Sequence, residues 1–435
     1  MLKTFTMNRI ALGVAIFTLG QQVIFYLKER AHRGSEFTAA CLIIGMVLMI
    51  PPGFFTRRYS TNRTLTALLL SWMGVAILNM YLHAPSGGAY LDLFRENSNY
   101  LFTLVFLLLL TYTPEEISPH FALMAVLVTL AGNLLLFYSL MTNPNYILGM
   151  RATIFYGDGE SGGNPHVAAR NGFAGFIAAV ILLRKNNLLL KLLAFANAGL
   201  SLAAIVMAQT RIMLLCMGLV VLIFLFYNAR PRNIKAFGKT LRQPTNLSFL
   251  VITGTATYFL VFQTPLYDLL QNYALSFFES FLRATSTAST VFSGPSMEDA
   301  DASASYRVTT IGFFREVLVG RPFTLVFGAG YKLLYMDVPL LQAFHDCGIA
   351  GLVTFGGFLY VASKHCLRIF RNPPNELSLF MAYFFVPTLV GTFVGGLPYD
   401  TSFLFIFALI ARFIRPTAPA LRAPVPVAQP SAHLT

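Results

Sequence analysis

The chain has 435 residues, of which 56% are hydrophobic and only 11% charged, with a formal net charge of +13. Soluble chains carry about 25% charged residues, so this composition excludes a water-soluble globular protein and makes lipid the solvent for much of the apolar surface. A basic excess in that setting speaks of sidedness, since Lys and Arg gather on the cytoplasmic side of a membrane, and no nucleic-acid partner is expected.

A hydrocarbon core about 30 Å thick needs roughly 20 apolar residues in a helix. On that scale twelve spans are predicted near 10–27, 37–54, 65–83, 98–112, 121–141, 167–183, 188–207, 212–228, 247–264, 339–363, 377–396 and 401–415. The fourth is short unless Asn97, Ser98 and Asn99 help it to cross the interface. The first apolar run leads into further spans without a small-residue cleavage site, so no cleavable signal peptide is expected. Cys41, Cys216, Cys347 and Cys366 lie in or beside apolar runs, which predicts neither a structural disulfide nor a metal site.

With the N-terminus inside and the loops alternating, the inner side holds 19 basic and 3 acidic residues, and the outer side 12 and 15. That asymmetry predicts both termini in the cytoplasm. The loop at 28–36 runs against it, carrying Lys28, Arg30 and Arg33 outward. Three outward segments are long enough for function: 84–97, the Gly-rich 142–166, and 265–338, the largest polar excursion. The last opens with an apolar stripe (Leu266, Leu269, Leu270, Tyr273, Phe277) that reads as an interfacial helix. A Ser/Thr/Ala/Gly-rich stretch at 284–305 reads as mobile, and a second helical pattern starts at Arg307. The organisation is a single transmembrane helical domain over 1–415, with 265–338 between the ninth and tenth spans, then a disordered Pro/Ala-rich tail over 416–435. Neither an internal repeat nor an inverted pair of Gly/Pro-broken helices is evident, which argues against a secondary transporter.

Charges in or beside spans are costly, so they are candidates for function. Arg211, in the segment Ala208–Leu215, is either an interface anchor or a fixed cation suited to a phosphate. Arg307 is a solvated loop charge or a partner to it, and Arg170, near the start of the sixth span, a snorkelling side chain or a third cation. Asp337 precedes Pro339 and can cap a helix or serve as a base at the mouth of the tenth span. His345 lies about 12 Å further along the helix at 1.5 Å per residue. Beside Asp346, it is either a satisfied structural pair or part of a proton relay. The Gly328-Ala329-Gly330 turn allows close backbone approach.

The order and spacing of these landmarks resemble a family. The turn Gln209-Thr210-Arg211 leads into a Leu-rich span, Arg307 opens a helix followed by Pro322 and Gly328 to Gly330, and a helix start runs from Asp337 through Leu341 to Gly348 and Gly351. With about twelve spans and a large late loop, this is similar to the O-antigen polymerases and O-antigen ligases over about residues 145–400. The resemblance implies an all-α polytopic, GT-C-like membrane glycosyltransferase of the bacterial inner membrane. Its donor would be a glycan on undecaprenyl diphosphate, and its acceptor a second glycan or lipid A–core, met at the periplasmic face. Arg211, Arg307 and Arg170 would hold the diphosphate as charge develops on it. Asp337, and after it His345, would be the catalytic base, with no metal or other cofactor. Where ligases offer a histidine this chain has Asp337-Val338, which favours a polymerase, with a chain-length regulator or flippase as partner. A transporter, or a scaffold of an export system, is the reading from a different class.

Overall fold

The computed structural model describes residues 2–262 apart from 53, 55, 56, 83–88, 148–149, 155–163 and 229–242, then 319–414 apart from 321 and 334, and scattered positions between 263 and 318. The fold is all-helical, with 82% helix and no strand among these residues. Apolar runs become α1 (Leu2–Leu19), α2 (Gln21–Arg30), α3 (Ser35–Met49), α4 (Arg63–Leu82), α5 (Ala89–Tyr112), α6 (Ser118–Thr142), α7 (Pro165–Leu182) and α8 (Leu188–Met207). Then follow α9 (Arg211–Asn228), α10 (Pro244–Phe262), the short α11 (Phe323–Phe327), α12 (Pro339–Gly351), α13 (Gly357–Arg371), α14 (Glu376–Val394) and α15 (Thr401–Phe413). Six helical segments among the described residues are long and apolar enough to cross a membrane, or seven if α1 and α2 form one bent span.

The first expected span is not one straight helix. The chain bends by 73° between α1 and α2. Gly20 permits the bend, since a β-carbon there would stand 2.4 Å from the Ile16 carbonyl oxygen. Buried Gln22 then anchors α2 by donating to the Gly132 carbonyl at 2.9 Å. A second break falls at Gly348, whose φ of +62 interrupts α12 before a π-helical turn and α13. The sequence therefore does contain two Gly-broken helices that the apolar pattern conceals. The segment 84–97, expected as a loop, is helical from Ala89 and extends the fourth span. Asn97 and Ser98 are satisfied within the helix: Asn97 donates to the Leu93 carbonyl at 2.9 Å and Ser98 to that of Phe94 at 2.7 Å. Arg307, the stretch 284–305 and the tail 416–435 lie outside the described residues.

Small and amide-bearing residues set the helix crossings. A β-carbon on Gly13 of α1 would be 2.6 Å from the Gly45 carbonyl of α3. One on Gly172 of α7 would be 2.6 Å from the Ser201 carbonyl of α8. Around that crossing Asn171 donates to Asn133 Oδ1 at 2.9 Å, and Asn133 to the Ser201 hydroxyl at 2.9 Å. Lipid drives helices together weakly, so close backbone approach and interhelical hydrogen bonds carry the association.

One end of the bundle is closed by charge. Arg412 is fully buried and donates to the carbonyls of Leu110 at 2.8 Å and Thr113 at 2.7 Å, capping the end of α5. Lys185, just past α7, pairs with Glu376 at the start of α14 at 2.5 Å. The opposite end is open, and the candidate site lies there.

Candidate functional site

The end of α14, the first turns of α2, α7, α9 and α15, and the loop leading into α12 converge on this open end. Between them is a cavity of about 490 Å³, lined by Gln21, His166, Arg170, Tyr335, Asp337 and Asp400 among others. Each polar side chain has a local reason to be there. Asn164 caps α7 by accepting from the His166 amide at 2.9 Å, and Pro165 fills the first turn, which sets His166 and Arg170 facing the space.

Asp337 does not cap its helix. The N-cap position is Val338, which makes no side-chain cap bond, and Asp337 itself adopts φ +52. Aspartate is among the few non-glycine residues that tolerate this left-handed region. Turned out of the helix, its Oδ1 accepts from the Tyr335 hydroxyl at 2.9 Å and from the Gly396 amide at 3.4 Å. A β-carbon on Gly395 would sit 3.5 Å from that same oxygen, so the end of α14 closes tightly against the carboxylate.

Asp400 precedes α15, and its Oδ2 accepts from the Leu397 amide at 3.4 Å. Burial pushes its carboxyl above the ordinary value, against the opposing pull of the Leu397 amide, Lys332 and Arg170. Burial, followed by the bond to Asp337, pushes the Tyr335 phenol well up. Arg170 donates to the Ser402 carbonyl at 2.7 Å, and its guanidinium carbon lies 5.6 Å from the Phe384 ring centroid. A guanidinium held this way keeps donors for an anion while one side of its plane rests on an aromatic face.

The structure thus brings Arg170 and Asp337 to one cavity. Arg211 stands at its rim: it heads α9, is exposed, and is followed by Ile212 and Met213, which line the space. Gln209, two residues before it, has φ +49, and its carbonyl accepts from Arg151 at 3.3 Å, so a second guanidinium shares that turn. Arg307 lies outside the described residues.

His345 is elsewhere. It is 4% exposed, lines no part of the cavity, and its Nδ1 is 2.8 Å from Asp346 Oδ1. Asp346 Oδ2 accepts from Gln342 at 3.0 Å, from the Lys332 amide at 3.0 Å and from the Tyr399 hydroxyl at 3.1 Å. This hub pins the loop 328–332 onto α12. The Ala329 amide donates to the His345 carbonyl at 2.7 Å, and a β-carbon on Gly328 (φ +84) would fall 2.1 Å from the Asp346 carbonyl oxygen. Lys332 then reaches Glu96, which also accepts from Tyr331 at 2.8 Å, tying the loop to α5. The structure places the His–Asp pair in this buried hub and not in the lining of the cavity.

Asp400, His166 and Tyr335 are site residues that sequence reasoning does not single out. Asp400 had a usable signal: like Asp337, it is an acid just before an apolar run. The fold and the site define an α-helical membrane protein with a charged cavity at one end of its bundle. No family model matches the chain, and no curated protein matches it either.

Proposed function

We propose that the protein is a membrane polysaccharide polymerase. It extends a glycan by joining repeat units carried on undecaprenyl diphosphate, at the periplasmic face of a bacterial inner membrane. The observation that carries this reading is that Arg170 and Asp337, 167 positions apart in sequence, line one cavity at one end of the bundle. Supporting it, the twelve alternating crossings expected from the sequence would put the starts of α7, α9, α12 and α15 and the end of α14 on one side, and the excess of Lys and Arg expected on the other side would make this side outward.

In the proposed reaction the donor's diphosphate lies against Arg170, with Arg211 and Arg151 at the rim. The planar guanidinium pairs with two phosphate oxygens, and the pairing strengthens as negative charge builds on the leaving group. Asp337 takes the proton of the acceptor hydroxyl as its oxygen attacks the sugar carbon. The bond from that carbon to the diphosphate breaks, undecaprenyl diphosphate leaves, and configuration inverts. Tyr335 and the Gly396 amide hold the carboxylate in place. Asp337 stands where ligases offer a histidine at the start of α12, which is why a polymerase is preferred to a ligase.

The test is the glycan profile of a strain lacking the gene, analysed with its undecaprenyl-linked intermediates. Single repeat units on the acceptor, with no long polymer anywhere, are expected. Long polymer stranded on the carrier would make the protein a ligase, and an unchanged profile would refute both.

A further inference from the structure

A second cavity of about 270 Å³ adjoins the first and shares Gln21, Arg170 and Ser402 with it. Lys28, Arg95 and Arg170 supply three cations to its lining, and no acidic side chain lines it. The rest of its wall is largely apolar, with Phe25, Leu42 and Phe405 prominent. Arg95, on α5, makes no ion pair among the described residues, while Lys28 lies 3.2 Å from Glu29 and over the Phe25 ring. Arg170 is already occupied by the Ser402 carbonyl and faces the first cavity as well. Lys28 and Arg95 therefore distinguish the second space from the first.

The position matters as much as the charge. Lys28 sits on α2, which turns 73° from α1 at Gly20 and so runs across the end of the bundle. In a membrane, a helix in that attitude lies at the depth of the headgroups, where basic side chains meet phosphates and apolar ones meet acyl chains. Three cations above an apolar wall suit a molecule with one anionic end and one hydrocarbon end.

We infer that the second cavity seats a membrane phospholipid, its phosphate between Arg95 and Lys28 and an acyl chain against Phe25 and Leu42. The occupant is a structural neighbour of the first cavity and takes no part in its chemistry. The inference rests on the membrane reading and not on the polymerase reading. It also gives a role to Lys28, one of the three basic residues in the segment 28–36 that charge alternation leaves unexplained.

The experiment uses the full chain in nanodiscs of phosphatidylcholine with a minority of phosphatidylglycerol, followed by native mass spectrometry of the released complex. The wild-type protein is expected to retain phosphatidylglycerol in preference to phosphatidylcholine. Each cation removed near an anionic headgroup costs about fivefold in affinity, so Lys28→Gln/Arg95→Gln should lower that retention about 25-fold. Lys28→Arg/Arg95→Lys should keep it. Equal retention by the wild type and the Gln variant overturns the inference. So does a wild-type protein indifferent to the two lipids, a comparison that stands even if the Gln variant does not fold. Loss of a polyprenyl phosphate from the Gln variant, in place of phospholipid, would overturn it in favour of a second carrier site.

Discussion

The Tyr335 hydroxyl donates to Oδ1 of Asp337 at 2.9 Å, and a φ of +52 at Asp337 turns that residue away from the helix it precedes. Non-glycine residues held in this region are uncommon and cluster where the surroundings over-determine them. Asparagine tolerates the same conformation and matches aspartate in size. Asp337→Asn should therefore leave the protein level in the membrane unchanged while lowering polymer formation by about 10²- to 10⁴-fold, the usual contribution of a positioned base. Tyr335→Phe, which removes one bond to the carboxylate, should cost far less. An Asp337→Asn variant with full activity would remove this residue from the chemistry.

Arg170 has two structural partners, the Ser402 carbonyl and the Phe384 ring, in addition to the cavity. Arg170→Ala should abolish polymer formation. Arg170→Lys should rescue it poorly, since a point charge replaces neither the fork nor the stacked plane. Arg211→Ala at the rim should also impair polymer formation. Full rescue by lysine at position 170 would mean that only charge is needed there.

His345 offers the sharpest contrast between structure and chemistry. Its removal opens a buried space and leaves Asp346 without one of its hydrogen-bond partners, which should cost about 3 kcal/mol. His345→Ala is thus expected to melt at a lower temperature in detergent while each folded molecule retains its activity. Loss of activity without loss of stability would return His345 to the list of bases.

Asp400 yields a prediction in pH. Burial raises its carboxyl above the ordinary 3.8, so the folded chain holds the proton more tightly than the unfolded chain does. Its charge therefore detracts from stability at neutral pH, and the penalty fades as pH falls through the raised value. The side chain makes no cap bond to α15, so an amide spares the helix start. Asp400→Asn should raise the melting temperature at neutral pH and have no effect once the pH is below the ordinary carboxylate value. An equal shift at both pH values would point to some cause other than titration.

How far these features can be read from the sequence varies with their physical origin. The apolar runs fall on the helices of the structure because burial in lipid is written residue by residue in composition. The bends at Gly20 and Gly348 are not written that way. A glycine breaks a helix only when a neighbouring backbone comes close, as the Val326 carbonyl does to Gly348, where a β-carbon would stand 2.4 Å away. Depth along a helix could be read for His345, but not which way it faces, and its surroundings turned out to be protein. Arg170 and Asp337 were each legible as a charge beside a span. Their meeting in one cavity depends on the rotation of α7 and α12, which a single sequence leaves open. Asp400 repeated the pattern of Asp337 at the last span and was legible in principle.

The most direct measurement is a reconstitution: the purified full chain in lipid vesicles, supplied only with repeat units linked to undecaprenyl diphosphate. The account predicts a ladder of longer glycans, with one undecaprenyl diphosphate released for each new linkage, and no ladder with Arg170→Ala or Asp337→Asn. A wild-type protein that consumes none of the linked units, or variants that build the same ladder, would contradict it.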